Sequence, residues 1–350
     1  MNTKIFTICT NYIGFNWSTD GTSTEFSAIT SPEMSRNVSK MISYIVVAAF
    51  GIPGNVLTII VLLSARHLRM KPVNLFMVHQ SFIDLIVCCM VILQEIFFRM
   101  NQVPEGLSQV IYCRLWMTKY VVFVPLYTST YNLVFLTLER HLAITNPLRY
   151  NQEKVLHRLP YVFASCWILC GTILVFTPST TILRDGKCLL IYELLAIPRL
   201  QRIVIPYIAI MAVLLPTAIM LIAYIRMGIA LQKSMTNLNM SSDKKNNTHV
   251  EKSRQAQINL FQTCLLMVTL FVLSWVAVET IMALYIFGYV KSLYNDYYNV
   301  AILIAISNSC FNPYVYTIRY NEFKKQLAVL FNRARHLKST PAITTTTSRF

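Results

Sequence analysis

Seven apolar stretches, each long enough to cross a lipid bilayer, constrain the fold of this chain more than any other feature. A membrane helix needs about 20 apolar residues to span the hydrocarbon core, whereas barrel strands are shorter and alternate apolar with polar residues. The stretches lie at 41–64, 73–98, 115–138, 160–183, 203–225, 260–287 and 298–318. The sequence therefore predicts an all-α membrane protein, a seven-transmembrane-helix bundle.

The charged residues support a membrane location and give it a direction. Only 13% of the residues are charged, against about 25% in a typical soluble domain. Most of the 31 Lys and Arg residues lie in segments that face the cytoplasm if the C-terminus is inside. The positive-inside rule then favours an extracellular N-terminus, and we expect a multi-pass plasma-membrane protein. Basic charge on that face suits membrane lipids and a cytoplasmic partner, with no indication of nucleic-acid binding.

Four segments follow from this pattern: an extracellular N-terminal tail, the bundle, a short amphipathic eighth helix in the membrane interface and a disordered cytoplasmic tail. They comprise residues 1–39, 40–319, 320–333 and 334–350. The first carries glycosylation sequons at Asn16 and Asn37. The third places apolar residues at helical spacing opposite lysines, which is typical of an interfacial helix. The last is rich in Ser and Thr and is expected to be a kinase substrate.

Three of the nine cysteines lie outside the apolar runs on the predicted extracellular side: Cys113, Cys188 and Cys9, which is in the N-terminal tail and is assigned no partner. That side is oxidising, so a Cys113–Cys188 disulfide is expected.

Asp84 lies in the middle of the second stretch. A carboxylate there is costly unless it has partners, so a functional role is the default interpretation. The candidate partners are polar residues of three other stretches, Asn55, Ser129, Asn308, Ser309 and Asn312. Together they form an oxygen-rich site that suits a small cation such as sodium, with Asp84 and Ser129 as metal ligands. A hydrogen-bonded core that holds water and no ion remains the alternative.

An ordered series of residues then identifies a family. It comprises Asn55, Asp84, Cys113, Glu139-Arg140-His141, Pro147, Trp167, Pro216, Tyr224, Phe271, Trp275 and Asn308-Ser309-x-x-Asn312-Pro313-x-x-Tyr316. In this order, across about residues 40–332, the set resembles rhodopsin-like (class A) G-protein-coupled receptors, and most of all their neuropeptide-receptor branch.

The resemblance implies a receptor, not an enzyme, whose outer cavity binds a ligand and whose inner face opens to a heterotrimeric G protein. Arrestin and receptor kinases would act on the Ser/Thr-rich tail. The resemblance also implies a set of residues that take part in the activation switch and in G-protein coupling: Glu139, Arg140, His141, Tyr224, Phe271, Trp275, Pro313 and Tyr316.

Four departures from the family pattern carry expectations of their own. His141 replaces the usual tyrosine, and no proline follows Trp275, so the sixth helix should kink less. Pro125 and a long cysteine-to-arginine spacing predict a bulge or rotation in the outer third of the third helix. Gln257 stands where many relatives have an acid, so no charged lock to Arg140 is expected from there.

The outer ends of the stretches indicate the ligand class. The third stretch lacks the acid of amine receptors and the seventh lacks the lysine of opsins, which disfavours both ligands. The candidate ligand-binding residues are Gln94, Glu95, Lys119, Val122, Arg202, Trp275, Glu279, Tyr285 and Tyr298. Embedded carboxylates and tyrosines suit a short, positively charged peptide. Glu279 paired internally with Lys119 is the competing interpretation.

Other classes of protein predict other features. A transporter predicts pseudo-symmetric halves, which the sequence does not show. An enzyme needs a nucleophile and a base at usable spacing, which we do not find. A receptor-like decoy or chaperone without G-protein output remains an alternative, because of His141 and the missing proline.

Overall fold

The computed structural model describes residues 32–99, 106–184, 187–190, 198–240, 247–290 and 296–339. Asn16, most of the predicted N-terminal tail and residues 340–350 lie outside the described residues. The chain divides into two compact units, Met1–Val46 and Val47–Phe350. The described part of the first unit is the beginning of one helix, and all contacts given below are within the second unit.

Eight long helices account for most of the described chain. They are α1 Pro32–Ser64, α2 Pro72–Arg99, α3 Tyr120–Thr145, α4 Gln152–Ile173, α5 (Pro198–Ala209, a π-helical Ile210–Leu214 and Leu215–Met240), α6 Asn247–Ile286, α7 Asp296–Arg319 and α8 Asn321–Ser339. A short helix, Arg66–Arg69, connects the first two. The predicted all-α membrane bundle is confirmed.

Six of these helices, α1 to α6, are long and apolar enough to cross a membrane. The helix α7 is not among them, although it is 24 residues long. It carries buried Asn308, Ser309 and Asn312, and these amides and hydroxyls lower its mean hydropathy. Its polarity is thus concentrated on the face that the other helices cover.

Two helix ends differ from the predicted segments. The helix α1 begins at Pro32, inside the segment expected to be tail, because proline is well suited to a first turn, where no amide hydrogen is needed. The helix α8 continues to Ser339, beyond the expected end at residue 333. The intervening sequence holds good helix formers such as Ala334 and Leu337 and contains no proline before Pro341.

The outer end of the fourth stretch, predicted to be helical to residue 183, forms a strand instead. Strand β1 (Thr181–Arg184) pairs antiparallel with β2 (Lys187–Leu190), with Leu183 opposite Cys188. β-branched Thr181 and Ile182 favour the extended conformation. The disulfide Cys113–Cys188 is confirmed, with a Cα–Cα distance of 5.5 Å, and the Thr181 hydroxyl donates to the Cys113 carbonyl at 3.2 Å.

The outer third of the third stretch is irregular, as expected. A short helix, Leu107–Ile111, runs into a π-helical turn, Tyr112–Met117. Lys119 then adopts a left-handed conformation, with φ 57°, before α3 begins. The interruption lies at Lys119 and not at Pro125, which stays within α3.

The helix α3 forms the centre of the bundle. It packs against α2, α4 and α5 and also touches α6 and α7, while α6 and α7 lie along each other. On α1, Gly54 permits a close approach to α7, since a methyl group there would lie 3.1 Å from Cβ of Pro313. The inward faces of α2, α3 and α7 meet around polar residues that were predicted from the sequence.

Candidate functional site: a polar core, an inner face and an outer mouth

Asp84 is completely buried and joins three helices. The Ser129 hydroxyl on α3 donates to its Oδ1 at 3.1 Å, and the Asn312 amide on α7 donates to its Oδ2 at 2.8 Å. The structure therefore brings these three predicted residues into one hydrogen-bonded core. Such donors offset the cost of burying a carboxylate.

Of the remaining predicted core residues, Ser309 has its side chain within interaction range of the Asp84 carboxylate, whereas Asn55 and Asn308 lie near this centre without bonding to Asp84. The Asn55 amide donates to the carbonyl oxygens of Gly51 and Ser309, both at 3.0 Å, and so ties α1 to α7. Asn308 is buried on α7, and its side-chain oxygen has no hydrogen-bond partner within the described part of the chain.

Gln80 is a member of the core that the sequence analysis missed. Its amide nitrogen donates to both carboxylate oxygens of Asp84, at 3.4 and 3.3 Å, and to the Ser129 hydroxyl in a short contact. Gln80 lies one turn before Asp84, at the (i, i+4) spacing of helical neighbours. A buried amide at that spacing from a buried acid was the signal that could have revealed it.

Sodium binding stays a prediction, and the described arrangement does not fit an ion between these oxygens. Asp84 and Ser129 have the right donor chemistry, but the Gln80 amide directs hydrogens at the same atoms. An amide nitrogen is a hydrogen-bond donor and not a cation ligand. Across the described ranges, no cluster of three or more His, Cys, Asp or Glu side chains could hold a metal ion.

At the inner end of α3, Arg140 forms an ion pair with Glu139, and both side chains are largely buried. The Tyr150 hydroxyl, from the loop that follows α3, donates to the same carboxylate. Burial, and then the charge of Glu139, raise the pKa of Tyr150, so the phenol keeps its proton. The structure thus adds Tyr150 to the predicted pair.

A small cavity borders this ion pair. It is lined by Arg140, Ala143, Ile144, Gln257 and Leu260. Gln257 therefore lies on α6 at the same cavity as the arginine, and its side chain is an uncharged amide. His141 is half-buried at the same end of α3.

The other predicted switch residues line the interior of the bundle. Phe271 and Trp275 are buried in contact on α6, with ring centroids 6.2 Å apart. Tyr224 on α5 lies 5.6 Å from the ring of Phe261. Two α7 residues, Pro313 and Tyr316, are also buried, and the Tyr316 hydroxyl has no hydrogen-bond partner among the residues described.

At the outer end, the structure gathers part of the predicted ligand site around a residue that was not predicted, Tyr127. Its ring lies 5.3 Å from that of Trp275, and Glu279 and Tyr298 lie within electrostatic range of it. The carboxylate of Glu279 is half-buried one turn outward of Trp275. These residues of α3, α6 and α7 form what we call the outer mouth.

Of the remaining ligand-binding candidates, some are buried or half-buried and others lie outside the described residues. Gln94 is buried and donates to the Trp116 carbonyl at 3.0 Å, and Val122 is also buried. The structure leaves Glu95, Lys119 and Tyr285 half-buried. The side chains of Arg202 and Asn37 lie outside the described residues.

The structure thus combines a helical membrane bundle with a buried acid at its centre and an arginine at its inner face. The family described as "7 transmembrane receptor (rhodopsin family)" matches residues 54–316. The chain belongs to this family, whose members are receptors and not enzymes.

Relatives within the family carry different ligand names. The chain is 26% identical to cysteinyl leukotriene receptor 2 of Sus scrofa, over 85% of this chain and 83% of that one. It is 25% identical to galanin receptor 2a of Danio rerio, over 81% and 75%. It is also 25% identical to adenosine receptor A2b of Mus musculus, over 83% and 88%. Identities this even do not single out one ligand class.

Proposed function

We propose that this receptor binds a short, positively charged extracellular peptide and activates a heterotrimeric G protein in response. The Glu279 carboxylate is the observation that carries the ligand half of the proposal. It is half-buried, and no hydrogen bond or ion pair involves it among the described residues. A partly buried carboxylate without an internal partner can form a strong charge-assisted hydrogen bond to a cationic group of a ligand. No hydrogen bond or ion pair between Glu279 and Lys119 among the described residues supports the competing interpretation, in which the two pair internally.

The aromatic residues of the outer mouth favour the same ligand. Tyr127 lies against Trp275 and within range of Glu279. A ligand cation held by Glu279 would therefore lie near an aromatic ring, which is itself attractive to cations. Pressure on Tyr127 would pass directly to Trp275, a predicted transmission residue.

A peptide screen tests the ligand half. Short amidated peptides that contain Lys or Arg would be applied to the expressed receptor, with nucleotide exchange as the readout. For an active peptide, Glu279→Gln should lower potency at least tenfold, which corresponds to about 1.4 kcal/mol. Thr280→Val, a change at the exposed neighbouring residue, is the matched control and should leave potency unchanged.

A second peptide separates direct pairing from a general defect. Its basic residue is replaced by Gln, so it has no charge to offer Glu279. At the original receptor its potency should be lower than that of the first peptide, and Glu279→Gln should not lower its potency further. If Glu279→Gln weakens both peptides by the same factor, the carboxylate does not bind the ligand cation.

The G-protein half of the proposal depends on Arg140. Its guanidinium is paired with Glu139 beside the inner cavity, an arrangement that can open to a partner. Arg140→Ala should abolish ligand-stimulated exchange, while Arg226→Ala, at an exposed arginine of α5, should not. Full exchange with Arg140→Ala would refute this role.

A receptor-like protein without G-protein output is the second candidate. It is favoured by the continuous course of α6 through Trp275, with no proline to kink the helix. A peptide that binds this protein without stimulating exchange on any G protein would support it.

The same proposal places the protein in the plasma membrane with its N-terminus outside. Membrane lipids would contact the basic inner face, and arrestin and receptor kinases would act on the tail at 334–350. An epitope tag before Met1 should then be stained in intact cells, and a tag after Phe350 only after permeabilisation.

A further inference from the structure

A chain of hydrogen bonds links the polar core to α4 and fixes how Gln80 is oriented. The indole nitrogen of Trp167 donates to Nε2 of His79 at 3.3 Å. Because an indole can only donate, Nε2 must accept, and the proton of the neutral imidazole lies on Nδ1. Nδ1 is 2.8 Å from Oδ1 of Asn132, which therefore accepts.

The same logic continues to Gln80. With Oδ1 of Asn132 facing His79, its amide nitrogen faces Gln80 and donates to Oε1 at 2.7 Å and to the Phe76 carbonyl at 3.1 Å. The nitrogen of Gln80 then has one direction left, toward Asp84 and Ser129. The donor-only indole at one end thus determines that amide hydrogens reach the carboxylate at the other.

Packing holds this chain in place. Gln80 and Asn132 are completely buried. The His79 ring stacks on Phe163 of α4, with centroids 4.0 Å apart. Since buried amides lose free energy when their partners are removed, withdrawing Gln80 from Asp84 would disturb bonds as far as Trp167.

We propose that the side-chain amide of Gln80 is a built-in substitute for a cation in the polar core, so that sodium does not bind there while Gln80 is in place. Its hydrogens contact both oxygens of Asp84 and the Ser129 hydroxyl, the oxygens that a bound ion would need. Asn312 supplies a further donor to Asp84. The carboxylate is therefore satisfied without an ion, and its partners are part of the chain.

Thermal unfolding in different salts tests this proposal without any ligand. The purified full-length receptor would be heated in sodium chloride or in potassium chloride at equal ionic strength. A thiol-reactive dye would report unfolding through the buried Cys88, Cys166 and Cys170. The original protein should unfold at the same temperature in both salts. Gln80→Leu, which removes the amide, should gain a sodium-specific rise of roughly 2–4 °C that increases with sodium concentration.

Two further variants make the result specific. Adding Asp84→Asn to Gln80→Leu should remove the sodium effect, because the cation would lose its carboxylate. Ser81→Ala alters the adjacent buried side chain, whose hydroxyl has no hydrogen-bond partner in the described structure, and should respond like the original protein.

Two results would overturn the proposal. One is a sodium-specific rise in the original protein that Asp84→Asn abolishes. The other is a folded Gln80→Leu protein that gains no sodium response. Should Gln80→Leu fail to fold, the salt comparison on the original protein still decides.

Discussion

The inner and outer halves of the bundle are held together in different ways. In the inner half, α2, α3 and α7 are regular helices joined by hydrogen bonds at Asp84, and Arg140 has an acidic partner. In the outer half, π-helical turns interrupt the approach to α3 and the course of α5. There a covalent bond ties the hairpin to the turn before α3.

The contrast indicates what each half requires in order to change. In the outer mouth, Glu279 has no partner in the described chain, so an external cation can complete it. In the inner half, Asp84 and Arg140 already have partners, so a change at either residue means exchanging one internal bond for another. The unpaired Tyr316 hydroxyl suggests such an exchange, because leaving a buried hydroxyl unsatisfied costs about 1–3 kcal/mol.

Breaking the disulfide should have the largest effect and should separate the two halves most clearly. The bond joins cysteines 75 residues apart, and removal of a native disulfide typically costs about 2–5 kcal/mol. Cys188→Ser should therefore lower the unfolding temperature and abolish peptide binding at the outer mouth. Cys89→Ser, at a free cysteine, is the matched control. Peptide mass mapping without reduction should recover the linked pair, and free thiols at both positions would contradict it.

Packing in the middle of the bundle provides a second, smaller test. A methyl group on Gly51 would lie 2.6 Å from the sulfur atoms of both Cys88 and Cys310. Overpacking of this kind costs about 1–3 kcal/mol, so Gly51→Ala should lower the unfolding temperature. Gly228→Ala should not, since a methyl group there meets no atom within 4 Å.

A compensating change shows whether the sulfur atoms cause the loss. Replacing Cys310 by Ala in the Gly51→Ala protein removes one of the two clashing atoms. Part of the lost stability should return. No recovery would mean that helix α1 is disturbed for another reason, and the close packing of α1 on α7 would not be what constrains Gly51.

The sequence indicated much of the inner half because its rules are simple there. A carboxylate in a membrane must find partners, and residues four apart share a helical face. These rules were enough to associate Asp84 with Ser129 and Asn312, and the structure joins all three. The disulfide followed from the compartment of its cysteines.

The parts that were missed depend on how helices are rotated against each other. Periodicity identifies the polar face of a helix but not which side chain of the next helix reaches it. The bonds from Trp167 through His79 to Asn132 cross from α4 to α2 and to α3. The left-handed conformation of Lys119 could not be predicted either, because a non-glycine residue rarely adopts a positive φ. The strand at Thr181 was missed because a short apolar run does not distinguish a strand from the end of a helix.

The smallest expected effect concerns the inner face, where Lys71 is 2.5 Å from Glu322 of α8 and the Tyr320 hydroxyl is 2.9 Å from the other carboxylate oxygen. Burial alone would raise the pKa of Glu322, but the bonds to Lys71 and Tyr320 outweigh it and leave the pKa below its usual value. A carboxyl group whose pKa is lowered in the folded protein contributes stability at pH values above its unfolded-state pKa of about 4.3. That contribution is lost as the pH falls through the folded-state pKa. Because both side chains are more than a third exposed, we expect less than about 1 kcal/mol. The difference in unfolding temperature between the original protein and Glu322→Gln should shrink as the pH falls from 6 to 3, and a constant difference would show that the ion pair does not stabilise α8.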